Sequence, residues 1–532
     1  MLAQSGTALL IEMGSWFILA AILLRDEFGI VSLAFATRIF TDVLKRTGLR
    51  QVLVQRQQKF NRWATPGFWL SLSIGFLATA VMSLAAPIVA KMYDQPDLLW
   101  MVLILATVPS IGGLTTVPMA RMQSDLRFRG IAVIEFSWHV GLLVMRVLLA
   151  LAGLGPFACV IPEPIGEAAR SAAYWWLAKP RIHRRLRLRR WRYLIADSWW
   201  LLLGSMALKF VAQAPYFIGG FFLVPAVLGD YFFAFMFSIR VVRLFMMNLE
   251  NVLLPALSHI QANLQRQAQA FLRATGMLAT IVVPVCFLEA ALAEPILSLL
   301  FPAGKWDSAV PLTQVLCIGI AMWVTQGPTA SLLKAQGRWV WFAALSVLYA
   351  VGFALCIAVA ACLSQAGGAI PQLILLIAGR LGLDVLLQPF VGSGRADLVA
   401  ITVALCTAVY TPTQVYIAIR PAGGRWRDVS RIFLPPVITS AIAIGLGAAI
   451  ASPFPDTLAG NLAQLAVTVG VGGGIYMGLV RWLRPMVWNE LLELVFRFLP
   501  IGRARRLQQR LSAEGAIRAE PSPDRDLFTE ID

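Results

Sequence analysis

Apolar runs of about 20 residues recur from one end of the 532-residue chain to the other, and that is the length a helix needs to cross a ~30 Å hydrocarbon core. The runs are apolar almost all round, whereas a soluble core helix shows one apolar face. Composition agrees: 58% of the residues are hydrophobic and 14% charged, against roughly 25% charged in an ordinary globular domain. The sequence therefore predicts an all-α integral membrane protein with about fourteen crossings. They are expected at 4–24, 28–46, 66–90, 97–120, 131–153, 156–178, 194–219, 224–258, 273–301, 309–333, 338–363, 397–419, 432–453 and 460–483. No stretch is left for a soluble domain. Pro66, Pro96, Pro156, Pro421 and Pro453 are read as marking helix ends.

A net charge of +17 would suit a nucleic-acid-binding protein, but the positions of the charges exclude that partner. Lys and Arg fall in alternate loops, as the positive-inside rule requires. One set holds Lys45 to Arg62, Arg121 to Arg129, the eight basic residues from Lys179 to Arg192, Arg266, Arg273, Lys334, Arg338 and Arg420 to Arg431. The opposite set holds only Arg25, Lys91, Lys305, Arg380 and Arg395. Both termini are thus expected in the cytoplasm, with the basic loops against anionic lipid headgroups. After Leu483, an amphipathic stretch and a basic segment are expected to lie along the inner surface before a disordered end. The apolar segment 368–391 breaks the alternation: as a crossing it would put Arg420–Arg431 outside. A segment that dips into or lies on the outer face, with Arg380 and Asp384 paired, keeps the charge rule; a fifteenth crossing is the alternative.

The six cysteines, Cys159, Cys286, Cys317, Cys356, Cys362 and Cys406, lie in apolar runs without CxxC spacing, and read as small buried hydrophobes. His139, His183 and His259 are scattered, so no metal or other cofactor is expected. The first apolar stretch has neither a basic lead nor a small-residue cleavage site and reads as a retained helix.

Ionisable groups within a crossing are costly and mark interior or watery faces. Arg38 and Asp42 are spaced as an i, i+4 pair. Glu135, His139 and Arg146 form one stripe, and Glu163, Glu167 and Arg170 another. Lys209 stands mid-helix with Gln213 one turn on; Arg240, Arg243 and Glu250 share a helix. Glu12, Glu289 and Glu294 add acids, and Glu294 and Asp230, near helix ends, are expected to touch water. Each stripe could be an interhelical pair that only holds the bundle together. The five cations Arg146, Arg170, Lys209, Arg240 and Arg243, set against few acids, point instead to a basic cavity suited to an anion such as a pyrophosphate. Glu12, Glu163, Glu167 and Glu250 are candidates for carrying a coupling proton or sodium ion. No phosphate-binding loop and no catalytic cluster is present, so the chain is not expected to be an enzyme or to use ATP directly.

Several stretches resemble the polysaccharide transporter family, the Wzx-type flippases of the multidrug/oligosaccharidyl-lipid/polysaccharide exporter superfamily. RDEFGIVSLA resembles that family's entry to the second helix, and GLRQVLVQR its "GLxxALVQR" element. VPMARMQSDLRFRGIAVIEF, AVLGDYFFAFMFSIRVVRLFMMNLENVLLPALSHIQ, LLFPAGKWDSAVPLTQVL and SLLKAQGR follow in the family's order, over roughly residues 20–340. The chain departs from the pattern in starting almost inside its first helix and in the stretch 364–396.

The resemblance implies a first lobe over 1–178, a basic inter-lobe loop at 179–193, a second lobe over 194–419 and two appended helices over 420–483, with 484–532 as a tail. It implies alternating access of the lobes. It also implies movement of an undecaprenyl-pyrophosphate-linked oligosaccharide across the bacterial inner membrane, for O-antigen or exopolysaccharide, alongside a polysaccharide polymerase or export machinery. A cation-coupled drug exporter would call for an acid-lined pocket, and a membrane enzyme of glycan assembly for a folded outer domain; the sequence offers neither. In a cysteine-free background, Arg185→Cys should react with a membrane-impermeant thiol reagent only from the cytoplasmic side. Labelling from outside would overturn the orientation.

Overall fold

The computed structural model describes residues 2–38, 49, 53, 60–125, 127–180, 182, 199–260, 262–364, 395–455, 457–485 and 487–489. Segment 368–391, Asp42, the basic loop after Lys179 and the tail beyond Leu483 lie wholly or largely outside these residues.

Helices stand at each expected crossing. They are α1 (Leu2–Ile22), α2 (Arg25–Ala36), α3 (Phe60–Met92), α4 (Pro96–Ser124), α5 (Phe128–Leu151) and α6 (Pro162–Ala178). Then follow α7 (Trp199–Gly219), α8 (Pro225–His259), α9 (Leu264–Leu300), α10 (Ala309–Ala335), α11 (Trp339–Ser364) and α12 (Asp397–Ile419). The chain ends its described part with α13 (Trp426–Ala451) and α14 (Leu458–Leu483). Among the described residues, ten helices are long and apolar enough to cross a membrane. At the other four expected crossings the helix is shorter or more polar over the described residues; α6, for instance, carries Glu163, Glu167 and Arg170.

Proline marks helix starts at Pro96, Pro162 and Pro225, where its missing N–H would have no helical partner anyway. Pro66, expected at an end, lies inside α3 because that helix begins at Phe60. Prolines inside helices free a carbonyl one turn back, and in a bilayer a neighbour must satisfy it. Pro284 in α9 frees the Thr280 carbonyl, which accepts from the Tyr476 hydroxyl of α14 at 2.6 Å. With Asn461 donating to Ser298 at 2.9 Å, this pair fastens α14 to α9.

Packing repeats with a period of six helices. The contacts α1–α5, α2–α4, α3–α4, α4–α6 and α5–α6 recur as α7–α11, α8–α10, α9–α10, α10–α12 and α11–α12. The two sets meet most closely where α2 crosses α8. There Gly29 and Gly229, each the fifth residue of its helix, let the backbones touch. A Cβ on Gly29 would strike the Pro225 carbonyl, and one on Gly229 the Arg25 carbonyl.

Side chains lock the same end of the bundle. Arg25 bonds the carbonyls of Gly304 and Lys305, reaches Ser308 at 2.8 Å and faces Asp230 at 3.7 Å. Ser308 donates to Asp230 at 2.6 Å, and Trp306 to the Ala20 carbonyl at 3.1 Å. Tyr93 donates to the Phe217 carbonyl at 2.7 Å. Asp230 is therefore only 6% exposed, not wetted as its place near a helix end suggested, because Arg25 and Ser308 close over it. Of the cysteines, Cys356 is exposed and Cys406 half-buried, since their helices turn those faces outward; the other four are buried.

Tyr476→Phe should lower stability by about 1 kcal/mol, read as a lower melting temperature in detergent; an unchanged value would mean that the Thr280 carbonyl finds another donor. Gly229→Val should wedge the sealed end apart. A cysteine placed at Ser15 should then label faster from that end with an impermeant reagent. Unchanged labelling of a normally folded variant would contradict the seal.

Candidate functional site

Below the sealed end lies a cavity of about 630 Å³ between the first six helices and the next six, within the usual size of a small-ligand site. Five basic side chains line it, Arg38, Arg146, Lys209, Arg243 and Lys334, against two acidic ones, Glu12 and Glu163. The wall is thus net basic.

The first six helices supply a compact ion cluster. α5 turns His139, Leu142 and Arg146 to one side, at helical spacings of three and four. α6 opens at Pro162, so Glu163 stands in its first turn, where the helix N-terminus favours a carboxylate. Arg146 meets Glu163 at 2.6 Å and Arg38 meets its second oxygen at 3.1 Å. Glu163 and Arg146 are each 5% exposed; a buried charge of this kind is stable only while paired. Two guanidinium groups on one carboxylate leave a positive excess. Each guanidinium also lies against a ring: Arg146 is 5.2 Å from Trp16 and Arg38 is 5.3 Å from Phe35, geometry that favours a cation.

Of the five cations singled out in the sequence, Arg146, Lys209 and Arg243 face the cavity. Arg170 and Arg240 lie a layer behind, each drawn aside by acids. Arg170 sits 3.3 Å from Glu167 and 3.8 Å from Glu135, over the Trp138 ring at 4.6 Å. Arg240, 5% exposed, reaches back to Glu12 at 3.3 Å and borders a small void beside the main cavity; it ties α8 to α1. Among the candidate coupling acids, Glu12 and Glu163 line the cavity, while Glu167 turns to Arg170 and to Thr115 at 3.5 Å. Glu250 lies on α8, and its side chain is outside the described residues.

Two lining cations escaped the sequence reading. In the sequence Arg38 is spaced i, i+4 from Asp42, a pairing that accounts for its charge without a cavity. Lys334 fell at a loop edge, although Trp323, Gly327, Ala330 and Lys334 form a stripe at 0, 4, 7 and 11 that faces the cavity. The aromatic lining, with Trp16, Phe35, Tyr216, Phe232 and Phe235 among it, gave no signal, since rings in an apolar helix look alike whether they face lipid or a cavity.

The Teichuronic acid biosynthesis protein TuaB of Bacillus subtilis (strain 168) is 23% identical over 411 residues, which make up 73% of this chain and 84% of that protein. The Lipopolysaccharide biosynthesis protein WzxC of Escherichia coli (strain K12) is 23% identical over 60% of this chain and 65% of its own length. The Succinoglycan biosynthesis transport protein ExoT of Rhizobium meliloti (strain 1021) is 24% identical over 60% of this chain and 65% of its own. Among solved structures, the Lipid II flippase MurJ in an inward closed conformation superposes with a TM-score of 0.65 at 10% identity, covering 90% of this chain and 98% of that one. At that identity the match concerns the fold. The model of the Polysaccharide biosynthesis protein family matches residues 18–311, more than half of the chain: this multi-pass membrane protein belongs to that family.

Proposed function

We propose that the chain is a flippase, moving undecaprenyl-pyrophosphate-linked oligosaccharide repeats of O-antigen or exopolysaccharide across the bacterial inner membrane. The observation that carries this reading is the cavity between the two six-helix sets, sealed at one end and lined by five basic against two acidic side chains. An anionic headgroup gains most from such donors where water is scarce. The printed names of relatives, for the biosynthesis or transport of teichuronic acid, lipopolysaccharide and succinoglycan, support a glycan cargo. The fold shared with a lipid II flippase supports movement of a lipid-linked one. The chain is a transporter in this reading and not an enzyme, and it hands its cargo to a polysaccharide polymerase or export machinery.

In this scheme the six-helix sets over 1–178 and 194–419 rock against each other, with 420–483 appended. Alternate-loop charge supports cytoplasmic termini, which puts the sealed end in the periplasm and the mouth toward the cytoplasm. Opening the far side must part Gly29 from Gly229 and Arg25 from Asp230. Arg146, Lys209 and Arg243 receive the anion, while Arg170 and Arg240 brace the wall. Glu12 and Glu163, held by cations that could turn to the cargo, carry the coupling proton or sodium ion. A drug exporter for cationic compounds is disfavoured by the same basic excess.

The test is polysaccharide export in cells lacking their own flippase, with protein abundance measured in parallel. Lys209→Ala and Arg243→Ala should abolish export at normal abundance, and Arg243→Lys should keep part of it, because the charge remains while the planar fork is lost. Arg146→Ala should also reduce abundance, since it strips a partner from buried Glu163, at a cost of about 3–5 kcal/mol. Well-expressed Ala variants at all three positions with full export would contradict the assignment.

A further inference from the structure

We propose that His139 is a proton-linked ligand of the cargo's pyrophosphate, its Nε2 taking up a proton as the anion binds. This rests on the reading of the cargo as a lipid-linked oligosaccharide.

His139 stands at the middle of α5 and lines the cavity on the same face as Leu142 and Arg146. An ionisable ring at that depth belongs to an interior, wetted face. Its Nδ1 is 2.7 Å from the Glu135 carbonyl oxygen one turn back. A carbonyl can only accept, so Nδ1 carries a hydrogen and donates it. That bond fixes the neutral tautomer: the hydrogen sits on Nδ1, and Nε2 keeps its lone pair. Nε2 makes no hydrogen bond among the described residues and keeps accessible surface. It is the ring nitrogen that a ligand in the cavity can meet.

The ring is held in this orientation from behind. Trp138 packs edge-on against it at 4.7 Å, and the Arg170 guanidinium lies over the Trp138 ring at 4.6 Å. Gly166 of α6 leaves room for this packing, since a Cβ there would come within 3.1 Å of the Trp138 ring nitrogen and 2.8 Å of Leu142. Glu135 is fixed in turn: its carboxylate accepts from the Tyr174 hydroxyl at 2.7 Å and faces Arg170 at 3.8 Å.

The two states of Nε2 do opposite things to a phosphate. Without a proton it is an acceptor facing oxygens that also only accept. With a proton the ring is a cation, and Nε2–H donates a charge-assisted hydrogen bond. Anion and proton therefore favour each other's binding by the same factor, and histidine is the side chain that exchanges protons in the physiological range. The acids on this side of the cavity are already engaged by cations. Glu163 is held by Arg38 and Arg146, Glu135 and Glu167 by Arg170, and Glu12 by Arg240. Arg121, at the end of α4, is paired with Asp125. His139 has no ion pair among the described residues. Across the cavity stand the cations Lys209, Arg243 and Lys334, and an anion placed between them and the ring makes the field at Nε2 attractive to a proton.

The experiment measures binding of farnesyl pyrophosphate carrying one N-acetylglucosamine to the full chain in lipid nanodiscs, from about pH 8.5 to about pH 5.5. This probe is a pyrophosphate diester, so its own charge is constant over the range. Wild-type affinity should rise about tenfold as pH falls, because the protonated ring binds the anion more tightly. Calorimetry near neutral pH, in two buffers of different ionisation enthalpy, should show net proton uptake on binding. His139→Gln and His139→Asn should bind with a flat pH profile and without that uptake; the asparagine amide can still donate to the Glu135 carbonyl. A wild type with a flat profile and no proton uptake overturns the proposal and leaves the flippase reading standing. The wild-type slope persisting in either folded variant also overturns it, and assigns the titration to Glu12 or Glu163. Loss of all binding in both folded variants overturns it as well, since the five lining cations are still in place. No binding by wild type at any pH overturns both.

Discussion

Everything about the cavity depends on one backbone contact, the crossing of α2 and α8 at Gly29 and Gly229. Two helices can touch this closely only where neither carries a side chain. The contact brings Arg25 within reach of Asp230, Ser308 and the 302–308 turn, and these bonds close one end of the bundle. Without that closure the space between the six-helix sets would be a channel, and charges along it would face water on both sides. The seal turns it into a one-ended pocket.

Inside that pocket, charge is organised by scarcity of acid. Glu163 is shared by Arg38 and Arg146, and Glu12 is held by Arg240, so both lining carboxylates are already engaged. Behind the wall, Arg170 is held between Glu135 and Glu167, which fixes α5 against α6. The arrangement separates the bracing cations Arg170 and Arg240, each matched by acids, from lining cations that outnumber the acids beside them. A low-dielectric wall with that imbalance attracts an anion and repels a cation.

The helices were legible because apolar length is set by the bilayer and survives without knowledge of neighbours. Arg146, Lys209 and Arg243 were legible for a related reason: a cation deep in an apolar run has few places to go. What could not be read was direction. Arg170 and Arg240 have the same sequence signature as Arg146, and the positions of Glu135 and Glu12 on other helices, with Glu167 one turn back from Arg170, turn them away from the cavity. Arg38 was hidden by its near neighbour Asp42, and Lys334 by its place at a helix end. Asp230 looked exposed for the same reason, until the partner Arg25, two hundred residues earlier, came to lie beside it. The aromatic lining was invisible because bilayer-facing and cavity-facing rings share one pattern.

The most direct measurement is translocation itself. The purified chain would be reconstituted into liposomes with a fluorescent prenyl-pyrophosphate-linked oligosaccharide in both leaflets, and a membrane-impermeant quencher would report the fraction exposed outside over time. The account predicts that the inner-leaflet pool becomes accessible at a rate that rises with protein content and falls in Arg243→Ala. A pool that stays protected at the rate of protein-free liposomes, with the chain folded and correctly inserted, would contradict it.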